Sequence, residues 1–435
     1  MRSLIAVFAA LAIGAASAQV TLDYWLWDAN QVAPYQQCVD EFMGANPGIN
    51  VRVTQTGWGD YWTAITTGFV AGTAPDVFTN HLAKYPEFAE NEQLVNIQPL
   101  LERDGVDLGV YIDGLGELWT RDGARFGLPK DWDTIAVVYN VAMLEAAGVS
   151  VEELNSATWN PVDGGTFGDI IRRLTLDANG NDATSDAFDR TRVTQFGFSL
   201  PGTGVGDAYG QTEWSHFAVS NGFAFNDGLY ATSYFYDDPR LAETLQWFAD
   251  LNLVHGVAPA FSDIASLGGS SLFTAGQLAM LTDGSWMIGF YSGSSPFEVG
   301  FARLPIGPEG RKSMFNGLAD SIWVGTRHPE ESWQLLRHLA SPDCQRIVGA
   351  AGVVFPAVPD AVDIAMNVFA ERGLDVSAYT EQALEEGGTF LFPITDFGSE
   401  IASIMGNAIT SIFLGQQDAE TALTRANTEV NALFR

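Results

Sequence analysis

The chain reads as an α/β protein built in two lobes, on three observations. Strand and helix patterns alternate as β-α-β-α-β through about residue 81, which implies a mostly parallel sheet with helices on both faces. Residues 19–435 exceed one ordinary core, so two to three domains are expected and two lobes is the reading taken. The net charge is −32, yet hydrophobic residues make up 47% and aromatics 12%. That is enough apolar material for packed cores under an acidic surface.

The elements follow in order. Arg2, the apolar run Leu4 to Ala16 and the small residues Ala16-Ser17-Ala18 form an export signal, cleaved after Ala18. That run is too short to span a bilayer, nothing later approaches a span, and no cysteine marks a lipid-anchoring junction. Thr21 to Trp27 alternates as a first strand, and Pro34 opens a helix that carries Cys38, Phe42 and Met43 before Pro47-Gly48. Ile49 to Val53 is a second strand, and a helix from about Tyr61 to Val70 stops at Gly72. Asp76 to Phe78 is a third strand ending at Thr79-Asn80-His81. Ligands of such sheets sit beyond the carboxyl ends of strands, where Trp27, Asp28, Asn80 and His81 fall.

A second α/β unit starts after Gly127 to Asp133, with a strand from Thr134 to Tyr139 and a helix from Met143 to Ala147 closed at Gly148. Residues 155–189 read as long polar loops around a helix near Phe167 to Leu174. Asp177, Asn179 and Asn181 are spaced like the opening of a calcium loop. Asp182 and Phe188 stand where that loop needs Gly and Glu, so a polar turn is the preferred reading. Phe273 to Trp286 reads as helix, stop at Gly276, buried strand Leu278 to Leu281, and a new helix capped by Asp283 or Ser285 that presents Trp286. Helices start at Pro329 and at Ser341-Pro342, and Leu423, Ala426, Val430 and Leu433 mark a last amphipathic helix packed on a lobe.

With 21 basic residues against 53 acidic ones, the surface field repels phosphate backbones and anionic headgroups, which argues against nucleic-acid and membrane-surface binding. Cys38 and Cys344 could form a disulfide in an exported chain or be two small buried residues. No HExxH, paired-Cys, nucleophile-elbow, Walker or GxGxxG pattern occurs, and His81, His216, His255, His328 and His338 are dispersed. What stands out is tryptophan at element ends: Trp25, Trp27, Trp58, Trp62, Trp132, Trp214, Trp286 and Trp323. Ring faces beside carboxylates suit sugars, whose C–H faces stack while their hydroxyls need rigid polar partners. Trp27-Asp28, Trp132-Asp133 and Glu213-Trp214 supply both parts. Taken singly, a tryptophan is more often core, and Trp25 and Trp333 are read as structural.

Tyr24-Trp-Leu-Trp27, Gly72 to Phe78, Gly127-Leu-Pro129 leading to Val138-Tyr-Asn140, Phe273 to Trp286, Asn316 to Ala319 and the Ser341-Pro342 helix occur here in an order that resembles the extracellular solute-binding proteins of ATP-driven carbohydrate importers, of the maltose-binding-protein-like type. The resemblance implies a type II periplasmic binding fold with discontinuous lobes joined by three hinge crossovers. Lobe 1 would take residues 19–132 and 322–353, lobe 2 residues 135–318 and 357–435, with crossovers near Asp133, Asp320 and Phe355. It implies ligand contacts at Trp27, Asp28, Asn80, His81, Trp132, Asp133, Gln211, Glu213, Trp214 and Trp286, with Asp320, Asp396 and Phe397 as further candidates. The expected function is periplasmic capture of a carbohydrate by a monomer that delivers it to membrane permease subunits, without turnover, metal or cofactor. A secreted glycosidase using Asp133 or Glu213, and a binder of a cationic solute such as a polyamine, are the rival readings.

Overall fold

The structure is a computed structural model that describes residues 19–202 and 209–435. The expected export segment and its cleavage site lie outside the described residues.

The first sheet begins as the alternation predicts. Val20–Leu26 pairs in parallel with Ile49–Gln55 on one side and Val77–His81 on the other. Leu22, Tyr24 and Leu26 point into the core, while Trp25 and Trp27 share the half-buried opposite face. The intervening helices are Val32–Ala45 and Trp58–Ala71, the second closed by Gly72 in the left-handed region. Asn80 and His81 lie inside the third strand rather than beyond it.

The expectation of a mostly parallel sheet is corrected at this sheet's centre. Ser313–Ile322 runs antiparallel to Val77–His81 and to Leu128–Asp133, and Phe355–Pro356 adds a further antiparallel pair. These late strands return from the second half of the chain and enter from the opposite end, so mixed pairing is the geometric consequence. The second sheet, in the order Val299–Ala302, Ile135–Asn140, Leu278–Gly284, Val193–Ser199 and Leu176–Asp177, has a single parallel pair. Only Thr134 separates Leu128–Asp133 in the first sheet from Ile135–Asn140 in the second. The passage between sheets at that point is therefore as short as a chain allows.

The stretch leading to Trp286 folds as a helix Gly269–Thr274, a turn with Gly276 in the left-handed region, and the wholly buried strand Leu278–Gly284. A 3-10 turn Ser285–Met287 and the helix Ile288–Ser294 follow. Neither Asp283 nor Ser285 caps it. Gly284 holds the cap position of the 3-10 turn and Met287 that of the helix, and the buried Asp283 accepts from the Gly284 N–H and the Tyr291 hydroxyl.

Cys38 and Cys344, both fully buried, form a disulfide between Val32–Ala45 and Pro342–Ala351. The Asp177 carboxylate accepts the backbone N–H groups of Asn179, Asn181 and Asp189, so this loop is a polar turn. Trp333 is fully buried and donates its indole N–H to Asp104. The last helix, Ala419–Ala432, buries Leu423, Ala426 and Val430 against Gly398–Phe413 and Pro239–Leu253. Among the described residues no helix is long and apolar enough to cross a membrane.

Candidate ligand-binding site

A cavity of about 620 Å³ opens between residues of the two sheets. Trp27 and Asp28 reach it from the end of the first strand, His81 from the third, and Asp131, Trp132 and Asp133 from Leu128–Asp133. Gln211, Ser285 and Trp286 face them from the second-sheet side.

Its aromatic residues play different parts. Trp27 is held by edge contacts with Trp58 at 5.0 Å and Tyr61 at 5.3 Å. Trp58, at the start of its helix, is 48% exposed and lines the cavity. Trp132 is only 5% exposed and stacks on Phe315 and Phe355, so its ring belongs chiefly to core packing. Trp286 lies directly over Gly284: a Cβ built there would stand 1.9 Å from its ring. Gly284 is required by that close approach.

The polar wall is a chain of hydrogen bonds. The Ala83 N–H donates to His81 Nδ1 at 3.0 Å, which puts the imidazole proton on Nε2. Nε2 lies 3.0 Å from the Asn316 side-chain amide. The Asn316 amide nitrogen donates to Asp133 Oδ2 at 3.2 Å. The other Asp133 oxygen accepts from Gln211 Nε2 at 3.0 Å. Burial raises Asp133 well above the usual carboxylate range, with the Asp131 charge adding to it, and lowers His81 to about 3. Asp131 accepts from Gln31 Nε2 at 3.1 Å and is pushed up to about 7, mainly by burial. Asp28 caps the short turn Ala29–Gln31 and is also raised by burial.

Six expected contacts sit elsewhere. Asn80 is fully buried, its amide spent on Ser321 and on the His81 N–H. Asp320 lies under the cavity floor, accepting from Tyr24 and Thr79, with Lys130 at 3.7 Å. Trp214 is wholly buried and packs on Phe225, and Glu213 is buried beside it. Asp396 pairs with Arg121, and Phe397 packs edge-on against Phe434. Gln31, Asp131, Asn316 and Phe392 line the cavity without having been expected there, and so does Trp58, singled out in the sequence as an element-end tryptophan but not as a ligand contact. Trp58 had a signal, a tryptophan at a helix start. Asn316 had none, because the strand that carries it meets Asp133 from 183 residues away.

A family model for bacterial extracellular solute-binding proteins matches residues 28–346. A binding protein of Brucella abortus (strain 2308) is 22% identical over 433 residues, 98% of this chain and 96% of the relative. The crystal structure of M. tuberculosis UspC superposes with a TM-score of 0.73 at 27% identity, covering 95% of this chain and 100% of that one. The ABC substrate-binding protein Lmo0181 from Listeria monocytogenes, solved in complex with cycloalternan, gives a TM-score of 0.80 at 19% identity over 95% of this chain and 99% of that one. The fold is thus the two-lobed type II binding-protein fold.

Proposed function

The chain belongs to the bacterial extracellular solute-binding proteins, and from that membership we propose that it captures a carbohydrate outside the cytoplasm and hands it to a membrane ABC permease. The observation that carries the sugar reading is the pairing of Trp27, Trp58 and Trp286 with Asp28, Asp131 and Asp133 in one cavity. Indole faces take the C–H side of a pyranose, and the carboxyl groups take its hydroxyls. The sugar bound to the Listeria relative supports the same class of ligand.

In this reading lobe 1 comprises residues 19–132 and 322–353, and lobe 2 residues 135–318 and 357–435. The crossovers fall near Asp133, Asp320 and Phe355. Both cysteines then belong to lobe 1, so their bond leaves lobe movement free. Binding favours closure because the ligand touches both lobes only when they meet. The protein acts as a monomer without turnover, exported by cleavage after Ala18.

A thermal-shift screen over mono- and oligosaccharides tests the reading, since a ligand far above its Kd stabilises by several kcal/mol. A shift with at least one sugar and no new reducing ends on prolonged incubation is expected. Silence across the screen overturns the sugar assignment, and release of reducing ends overturns the absence of turnover.

A further inference from the structure

Five rings that line the cavity touch one another in a continuous arc. Trp58 meets Trp27 at 5.0 Å and His81 at 5.4 Å, His81 meets Phe392 at 5.3 Å, and Phe392 meets Tyr209 at 4.7 Å. The last two close one end of the cavity together with Ala83, Gly398 and Ala402. The Tyr209 hydroxyl donates to the Gly398 carbonyl at 3.4 Å, and a Cβ on Gly398 would stand 3.2 Å from the Ala83 carbonyl. Ala402 follows Gly398 by one turn of the helix Gly398–Phe413 and is half-buried. The hydrogen-bonding side chains gather instead about the strand Leu128–Asp133, where Asp131 and Asp133 accept from Gln31, Gln211 and Asn316.

The neutral polar side chains at the ringed end are already engaged. His81 accepts the Ala83 N–H on Nδ1 and has the Asn316 amide 3.0 Å from Nε2, and the Tyr209 hydroxyl is spent on Gly398. The charged side chain there is Lys84, whose ammonium lies 6.0 Å over the Trp62 ring. A sugar hydroxyl moved from water into this end gives up its hydrogen bonds for few in return. An apolar ring gains by the same move, and it meets the edges and faces of the arc, including the 48% exposed Trp58. The cavity thus has one end suited to hydroxyls and one suited to an aromatic group.

Resting on the sugar assignment, we propose that the cavity takes a glycoside with an aromatic aglycone, its sugar against Asp131 and Asp133 and its aglycone in the end bounded by Tyr209, Phe392 and Ala402. Calorimetry with the mature chain on matched sets tests this: the free sugar, its methyl glycoside and its phenyl glycoside, in α and β forms, for glucose, galactose, mannose, xylose and arabinose. The phenyl glycoside of the preferred sugar should bind at least about tenfold tighter than its methyl glycoside. Ala402→Gln puts a polar chain into that end from a helix position that tolerates it, and should cut the advantage to about threefold or less. Phe392→Leu removes one ring of the arc while keeping an apolar side chain, and should reduce the advantage at least about threefold. Melting curves verify that both variants fold. If methyl and phenyl glycosides bind alike, the inference fails and the sugar reading stands. If both variants keep the full advantage, the seat assigned to the aglycone is wrong. If phenol alone binds as tightly as the phenyl glycoside, or no member of any set binds, the sugar reading itself falls.

Discussion

The Arg121 guanidinium meets both carboxylate oxygens of Asp396, at 2.8 Å and 3.0 Å, across 275 residues of chain. It also stacks over the Tyr230 ring at 4.7 Å, whose hydroxyl donates to that of Tyr85. In the proposed lobe map Arg121 and Tyr85 lie on one side and Asp396 and Tyr230 on the other, and under that map this cluster would act as a latch that favours closure with or without solute. The pair is bidentate but partly exposed, which limits its contribution to about 1 kcal/mol. Asp396→Asn should speed solute release about threefold to tenfold in stopped-flow measurements and lessen the salt dependence of that rate. An unchanged rate at low salt would remove the latch.

Trp286 should carry a large share of solute affinity. Its ring lines the cavity and lies over Gly284, so it is available for stacking in a defined position. Trp286→Ala should weaken sugar binding about 10- to 100-fold by calorimetry with little change in melting temperature. Gly284→Ala should approach the same loss, because its Cβ displaces the ring. Unchanged affinity in both variants would sink the stacking role.

How much of this site could be read in the sequence depends on whether its signal was local. Trp27 and Asp28 follow a strand whose alternation is visible, and Gly72 and Gly276 stop helices where chirality demands it. Tryptophan alone does not distinguish cavity from core. Trp214 was expected at the ligand, yet it is wholly buried, and Gly210 packs so closely that a Cβ there would stand 2.4 Å from its ring. Asp320 shows the limit of strand-end reasoning. It lies on the same strand as Asn316, but four residues further along it pairs opposite Thr79, beneath the floor. The mixed sheet order was not legible, because antiparallel return strands are set by long-range closure rather than by local pattern.

The disulfide joins two helices of the proposed lobe 1 over a separation of 306 residues. Closing so long a loop constrains the unfolded chain and contributes about 2–5 kcal/mol. The Cys38→Ala, Cys344→Ala double variant should melt a few degrees lower and keep its solute affinity within about twofold, since neither cysteine lines the cavity. A large loss of affinity with unchanged melting would contradict its assignment to one lobe.

The pH dependence of the unliganded protein is a contest between two sets of buried groups. His81 and His216 are lowered to about 3, so the unfolded chain binds more protons from about pH 6.5 down to 3. Their contribution is complete above about 6.5 and is lost on acidification. Asp131 and Asp283 are raised to about 7 and about 6. The folded state holds their protons longer, so their contribution is complete below about pH 4 and is lost as pH rises through 6 to 7. Asp131→Asn removes one acidic member without removing a side chain of similar size. Relative to the parent, the variant should therefore gain melting temperature on going from pH 5 to pH 8, a difference that calorimetric scans at the two pH values measure directly. A gain at pH 5 that vanishes at pH 8 has the opposite sign, and it would show that Asp131 is ionised and well compensated in the empty cavity.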